Sequence, residues 1–118
     1  MPGTPHLFNY VELGAPDLEV TKAFYAAAFG WSFNDYGPAY AGIRNPVGEG
    51  ELGGLNASST PRPGGVLVLI ESPDLDATLA SVRAAGGTVT NGPYAYPGGR
   101  RFHFRDPAGN ELGVYASS

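Results

Sequence analysis

The sequence predicts an α+β domain in which two tandem βαβββ units form a curved mixed sheet around a cleft, with the helices on the outer face. Three observations carry that expectation: an internal repeat spanning both halves, matching helix start and stop signals in each copy, and two-residue alternation in the segments that follow. Residues 11–30, VELGAPDLEVTKAFYAAAFG, lie over residues 68–87, VLIESPDLDATLASVRAAGG, at an offset of 57 with nine of twenty positions identical. The identities include Pro-Asp-Leu at the start (Pro16/Pro73, Asp17/Asp74, Leu18/Leu75) and Gly30/Gly87 at the end. An Ala-rich helix aligns easily with another, but not with the same opening and closing residues, so each half is one copy of a supersecondary unit.

Each element has its own reason. The apolar stretches 7–13 and 66–70 read as the first strand of each unit. Asp17 and Asp74 stand where a helix N-cap belongs, with a carboxylate able to accept from the first free backbone N–H groups. A helix of about three turns follows and stops at Gly30 or at Gly86-Gly87, residues that tolerate the left-handed C-cap conformation. Three short strands complete each unit: WSFND, AYAGIR and ELGGLNA in the first, GTVTN, RRFHFR and ELGVYAS in the second. The units are expected at 6–57 and 66–117, joined by SSTPRPGG at 58–65, a polar Pro/Gly linker.

At 118 residues this is one domain, large enough to bury a core without staples. The absence of cysteine excludes disulfides, iron–sulfur clusters and thiol chemistry, and suits a cytoplasmic protein. MPGTPHLFNY has no basic segment followed by an apolar run, so no secretion signal is expected. The longest aliphatic run, VLVLI, is far short of the ~20 residues that span a bilayer, so no membrane partner is expected. Seven basic against eleven acidic residues give a net charge of −4, which argues against a nucleic-acid partner.

Alternation assigns the strand faces. Val11, Leu13, Val68, Ile70, Phe102, Phe104, Leu112 and Val114 are expected beneath the helices. Tyr10, Glu12, Tyr40, Arg44, Leu55, Leu67, Leu69, Glu71, Arg101, His103, Arg105 and Tyr115 are expected on the opposite, concave face. That mixture of aromatic, aliphatic and a few charged side chains is the make-up of a small-molecule pocket.

The doubled βαβββ unit, with PDLEVTKAFYAAAFGW in the first half and DPAGNELG near the end, resembles the vicinal-oxygen-chelate superfamily of glyoxalase I, bleomycin-resistance proteins and extradiol dioxygenases. The likeness covers essentially the whole chain, and YVEL and ELGVY are most similar to its small glyoxalase-like members. The resemblance implies a homodimer and a divalent metal held by His, Gln or Glu on the first and fourth strand of each unit. Carried over, those positions fall on Tyr10, Gly53, Leu67 and Gly113, with Asn56 the polar alternative to Gly53. Gly and Leu have no side-chain donor and a lone neutral Tyr is a poor ligand, so no metal and no other cofactor is expected.

Glu12 and His103 are the candidate catalytic residues. Glu12 is a candidate general base or an acceptor for a ligand hydroxyl or amine, or else a structural carboxylate paired with Arg44, Arg101 or Arg105. His103, within RRFHFR, reads as an acid or base, or as a partly exposed histidine paired with a carboxylate or water. Tyr10, Tyr40 and Tyr115 are placed to stack on a planar ligand, with Glu12, Leu55, Leu67, Leu69 and His103 completing the expected ligand-binding set. NGPYAYPGGR, residues 91–100, reads either as a lid over the pocket mouth or as a plain turn. The leading expectation is a metal-independent protein that binds a small aromatic or hydrophobic ligand. The alternative is a glyoxalase-like lyase, isomerase or hydrolase using Glu12 and His103 or a non-standard divalent metal site.

Overall fold

The computed structural model describes residues 5–6, 8–62, 64 and 66–118. Leu7, expected in the first strand, and Pro63 and Gly65 of the expected linker lie outside the described residues. The first unit is β1 (Val11–Gly14), α1 (Leu18–Phe29), β2 (Phe33–Asp35), β3 (Tyr40–Arg44) and β4 (Glu51–Asn56). The second is β5 (Leu69–Glu71), α2 (Leu75–Ala84), β6 (Thr88–Tyr96), β7 (Gly99–Arg105) and β8 (Glu111–Ala116). The order βαβββ occurs twice, as the repeat predicts. The strands form two hydrogen-bonded sheets rather than one, β1-β4-β3-β2 and β5-β8-β7-β6, each with one parallel and two antiparallel pairings.

The helix signals act as the sequence implies. Asp17 Oδ1 accepts from the Val20 N–H at 3.4 Å and Asp74 Oδ1 from the Ala77 N–H at 3.1 Å. The first helix closes on Gly30 at φ 74°, whose N–H reaches the Ala26 carbonyl. This is a left-handed cap that glycine adopts without a Cβ clash. The core joins the two units. Phe24 and Tyr25 of α1, Leu75 and Val82 of α2, Phe102 and Phe104 of β7, and Leu112 and Val114 of β8 pack with Leu13, Ala41, Ile43 and Leu55. Burial of this apolar surface, roughly 25 cal/mol per Å², is the main force holding the halves together. No helix among the described residues is long and apolar enough to cross a membrane.

Three expectations need correction. The second unit's first strand is only Leu69–Glu71; residues 66–68 precede it, and of these Val68 gives β8 only its carbonyl, which accepts from the Gly113 N–H at 2.9 Å. Residues 91–100, expected as a lid or a plain turn, are two paired strands joined by a tight turn at 97–98. β6 runs to Tyr96 and β7 starts at Gly99, with Tyr94 opposite Arg101 and Tyr96 opposite Gly99. Pro93 sits at a register shift on this edge strand, where its missing N–H costs no ladder bond. Leu55 is fully buried on the helix side: it pairs with Leu13 and Ala41, and so belongs to the core rather than to the cleft.

Candidate functional site

The first sheet's concave face is built on glycine. Gly54 of β4 lies between Glu12 of β1 and Gly42 of β3, and Asn56 lies opposite Gly14 and Tyr40. Paired residues share a face, so Glu12, Tyr40 and Asn56 project together over a floor without side chains. A Cβ at Gly54 would collide with the Tyr40 hydroxyl and come within 2.8 Å of that of Tyr10, and a Cβ at Gly42 would collide with the Glu51 carboxylate. The glycines are therefore what lets these side chains lie flat.

Over that floor runs a hydroxyl network. Tyr40 donates to Glu12 Oε1 at 3.0 Å, which leaves Tyr10 as donor to the Tyr40 oxygen at 2.7 Å. Asn56 donates its amide to Glu12 Oε2 at 3.2 Å. Beside it, Glu51 Oε2 accepts from Tyr36 at 2.5 Å and from Asn34 at 2.9 Å. Those two donors, Tyr36 first, hold the Glu51 carboxyl below its ordinary value. Burial, followed by the bonds to Tyr10 and Glu12, raises Tyr40 well above the ordinary phenol value, so its hydroxyl stays protonated. Tyr10, Glu12 and Tyr40 are thus brought together as the sequence predicts. Asn34, Tyr36 and Glu51 were missed, although Asn34 and Tyr36 stand two apart and so share a face.

The second sheet carries a separate network. Arg101 Nε donates to the Tyr94 hydroxyl at 2.6 Å, and that hydroxyl stands 2.8 Å from His103 Nε2. His103 Nδ1 faces Glu111 Oε2 at 3.7 Å, and the Arg101 guanidinium lies 4.6 Å from the Tyr96 ring centre. Tyr115 packs edge-on against Tyr96. No hydrogen bond or ion pair joins Glu12 to His103 or to any arginine among the described residues. The carboxylate–arginine pairing expected for Glu12 is replaced by Tyr40 and Asn56.

The family's metal positions do not fit a divalent metal. Tyr10 is engaged with Tyr40. Gly53 pairs with Val11 and Ile43 on the helix side, so it does not face the cleft, whereas Asn56 does. Gly113 has no donor, and the space a side chain there would take is occupied by Leu69, with Leu67 beyond it. Among the described residues no three His, Cys, Asp or Glu converge.

Several hollows adjoin these surfaces among the described residues. One, polar and open, about 700 Å³, is bounded by Tyr10, Asn34, Tyr36, Arg44 and Glu51. Between the units lies one of about 240 Å³, touching Glu12, Val68 and Glu111. A third, of about 170 Å³, is lined by Gly64, Val66, Leu67, His103 and Glu111. The most apolar, about 420 Å³, lies on the helix side among Leu13, Phe29, Trp31, Ile43, Val68 and Ile70, with Val11 and Leu52 exposed at 38% and 52%. Residues expected to fill the core there leave a gap where α1 has ended and the chain turns through Trp31.

Comparison with known proteins places these features in a family. Residues 7–114 match the model of the Glyoxalase/Bleomycin resistance protein/Dioxygenase superfamily. The anthracycline biosynthesis protein DauV of Streptomyces sp. (strain C5) is 34% identical over 95% of this chain, which spans 42% of that relative's length. The fold is shared with a glyoxalase-related enzyme from Fulvimarina pelagi (TM-score 0.77, 22% identity, 94% of this chain and 88% of that one). It is also shared with TnmS3, an antibiotic binding protein from Streptomyces sp. CB03234 (TM-score 0.72, 22% identity, 99% and 100% covered).

Proposed function

The chain belongs to the glyoxalase/bleomycin resistance protein/dioxygenase superfamily, and on that premise we propose that it binds a small aromatic or hydrophobic ligand on its concave face without a metal. The observation that carries this reading is the network of Tyr10, Tyr40, Glu12 and Asn56 over the bare Gly42–Gly54 floor. It offers tyrosine edges and faces for stacking and a carboxylate for a ligand donor. Leu67, Leu69, His103 and Tyr115 supply the second sheet's share of the surface. Glu12 and Glu51 on the face, with a net charge of −4, favour a neutral or cationic ligand. The resemblance to proteins named for anthracycline biosynthesis and antibiotic binding points the same way. The helix-side cavity is less suited, because its described lining is mostly apolar and holds no carboxylate.

The acid–base alternative needs Glu12 and His103 at one substrate. Glu12 is bonded to Tyr40 and Asn56, and His103 to Tyr94, so binding is the better supported reading. The working assembly is a homodimer, supported by the exposed apolar residues Phe8, Val11 and Leu52 near one sheet edge, and a cysteine-free chain suits a cytoplasmic location.

The reading is tested by titrating the protein with 9-aminoacridine, a flat weak base, and following the probe's own fluorescence. Saturable binding weakened about tenfold or more by Glu12→Gln supports it, that being the size of a charge-assisted hydrogen bond. Trp31, the only tryptophan, lines the helix-side cavity, so a large change in its emission with no effect of Glu12→Gln moves the ligand there and overturns the reading.

A further inference from the structure

The hollow of about 170 Å³ beside β8 has a chemistry of its own. Leu67 gives it an apolar wall, Val66, 91% exposed, an apolar rim, and His103 and Glu111 its polar groups, with Gly64 also lining it. Its volume is close to the roughly 150 Å³ in which an apolar protein cavity holds one benzene ring. His103 and Glu111 are diagonal neighbours on one face, since His103 pairs with Gly113 and Arg105 with Glu111. Their side chains are only 16% and 26% exposed.

The hydrogen-bond network fixes what these two groups offer. Arg101 donates to the Tyr94 oxygen, and the Tyr94 proton then has one acceptor within reach among the described residues, His103 Nε2. A neutral His103 therefore carries its proton on Nδ1, on the side of Glu111. The Nδ1–Oε2 separation of 3.7 Å is too long for a direct hydrogen bond. Glu111 accepts from Thr90 at Oε2, and its Oε1 has no donor among the described residues. A donor and an acceptor thus stand side by side with capacity left over, beside the apolar Leu67 side chain. A hydroxyl on an aromatic ring meets both, since it donates and accepts at one atom.

We propose that this hollow is a subsite for a phenolic ring, the ring lying against Leu67 and its hydroxyl donating to the Glu111 carboxylate while accepting from His103 Nδ1–H. The proposal deepens the ligand-binding reading above by naming a hydroxyaryl group as the part of the ligand held by the second sheet.

The test compares phenol with anisole, the same ring with its hydroxyl proton replaced by methyl, by NMR titration of the whole protein. The expected result is phenol binding about tenfold or more tightly than anisole, with shifts at the Leu67 methyls and the His103 ring. Glu111→Gln should shrink that preference to within about threefold, and Glu19→Gln, 81% exposed on the outer helix, should leave it intact. Should Glu111→Gln fail to fold, Leu67→Trp, which fills the hollow, should abolish phenol binding instead. Equal affinity for the two probes, a preference unmoved by Glu111→Gln, or phenol binding that survives Leu67→Trp would overturn the subsite. If 9-aminoacridine still binds in a Glu12-dependent way, only the subsite falls. If the phenol preference stands while 9-aminoacridine does not bind, the tyrosine-face reading falls.

Discussion

The Tyr25 hydroxyl donates to Asp106 Oδ2 at 2.8 Å, tying the helix of the first unit to the turn before the last strand of the second. Asp106 is 4% exposed, and its carboxylate accepts five hydrogen bonds from the described residues. Oδ1 takes the N–H groups of Ala108, Gly109 and Asn110, and Oδ2 takes Tyr25 and the Asn110 amide. Asn110 also donates to the Gly14 carbonyl at 2.7 Å, a second tie between the units. The Asp-Pro-x-Gly-Asn turn thus works in this chain as a weld between its halves. Tyr25→Phe should cost about 1.5–3 kcal/mol and Asp106→Ala on the order of 4 kcal/mol, because the latter leaves several buried donors unmatched. Urea unfolding at neutral pH reads both. A loss under 0.5 kcal/mol for Asp106→Ala would contradict the weld.

Gly54 is the position at which the tyrosine network is most easily broken without touching a tyrosine. The methyl group of Gly54→Ala meets the Tyr40 hydroxyl, which must swing away and release Glu12. The expected outcome is a stability loss of about 1–3 kcal/mol with loss of most 9-aminoacridine binding. Retained binding in a folded Gly54→Ala protein would separate the ligand from the network.

Much of this was legible in the chain. The repeat, both N-caps and the Gly30 cap are local signals, and strict alternation placed His103 and Arg101 opposite Phe102 and Phe104 on the correct faces. β4 was not legible, because in ELGGLN the two central residues have no side chains to mark inside from outside, and a register shift at Ile43/Arg44 disturbs the count. That is why Leu55 and Gly53 were assigned to the cleft and why Glu51, inside a glycine-rich run, was passed over. The partners of Glu12 are tertiary facts: Tyr40 and Asn56 lie 28 and 44 residues away.

The Tyr36–Glu51 bond makes a pH prediction. Glu51 is held below its ordinary value by Tyr36 and then Asn34, so the folded state favours the ionised form. Its contribution to stability is present above the unfolded-state value, about 4.3 for a glutamate, and is lost as pH falls through the lower folded-state value. Tyr36→Phe should move the Glu51 titration midpoint upward in carboxyl-resolved NMR. An unchanged midpoint would remove the hydroxyl as the cause.

The proposed homodimer places Leu52 and Val11 in a contact. Light scattering should give twice the 12.3 kDa chain mass, and Leu52→Asp should halve that value while the fold is retained. A monomer in both proteins would contradict the assembly.

The most direct test of the central claim is calorimetric titration of chelator-stripped protein with 9-aminoacridine, repeated after addition of nickel, manganese, iron(II) or zinc. The account predicts the same micromolar-range binding in every case, with no heat from the metals alone above dilution. Binding that appears only once a metal has been added, or tight uptake of a metal that Glu12→Ala abolishes, would contradict it.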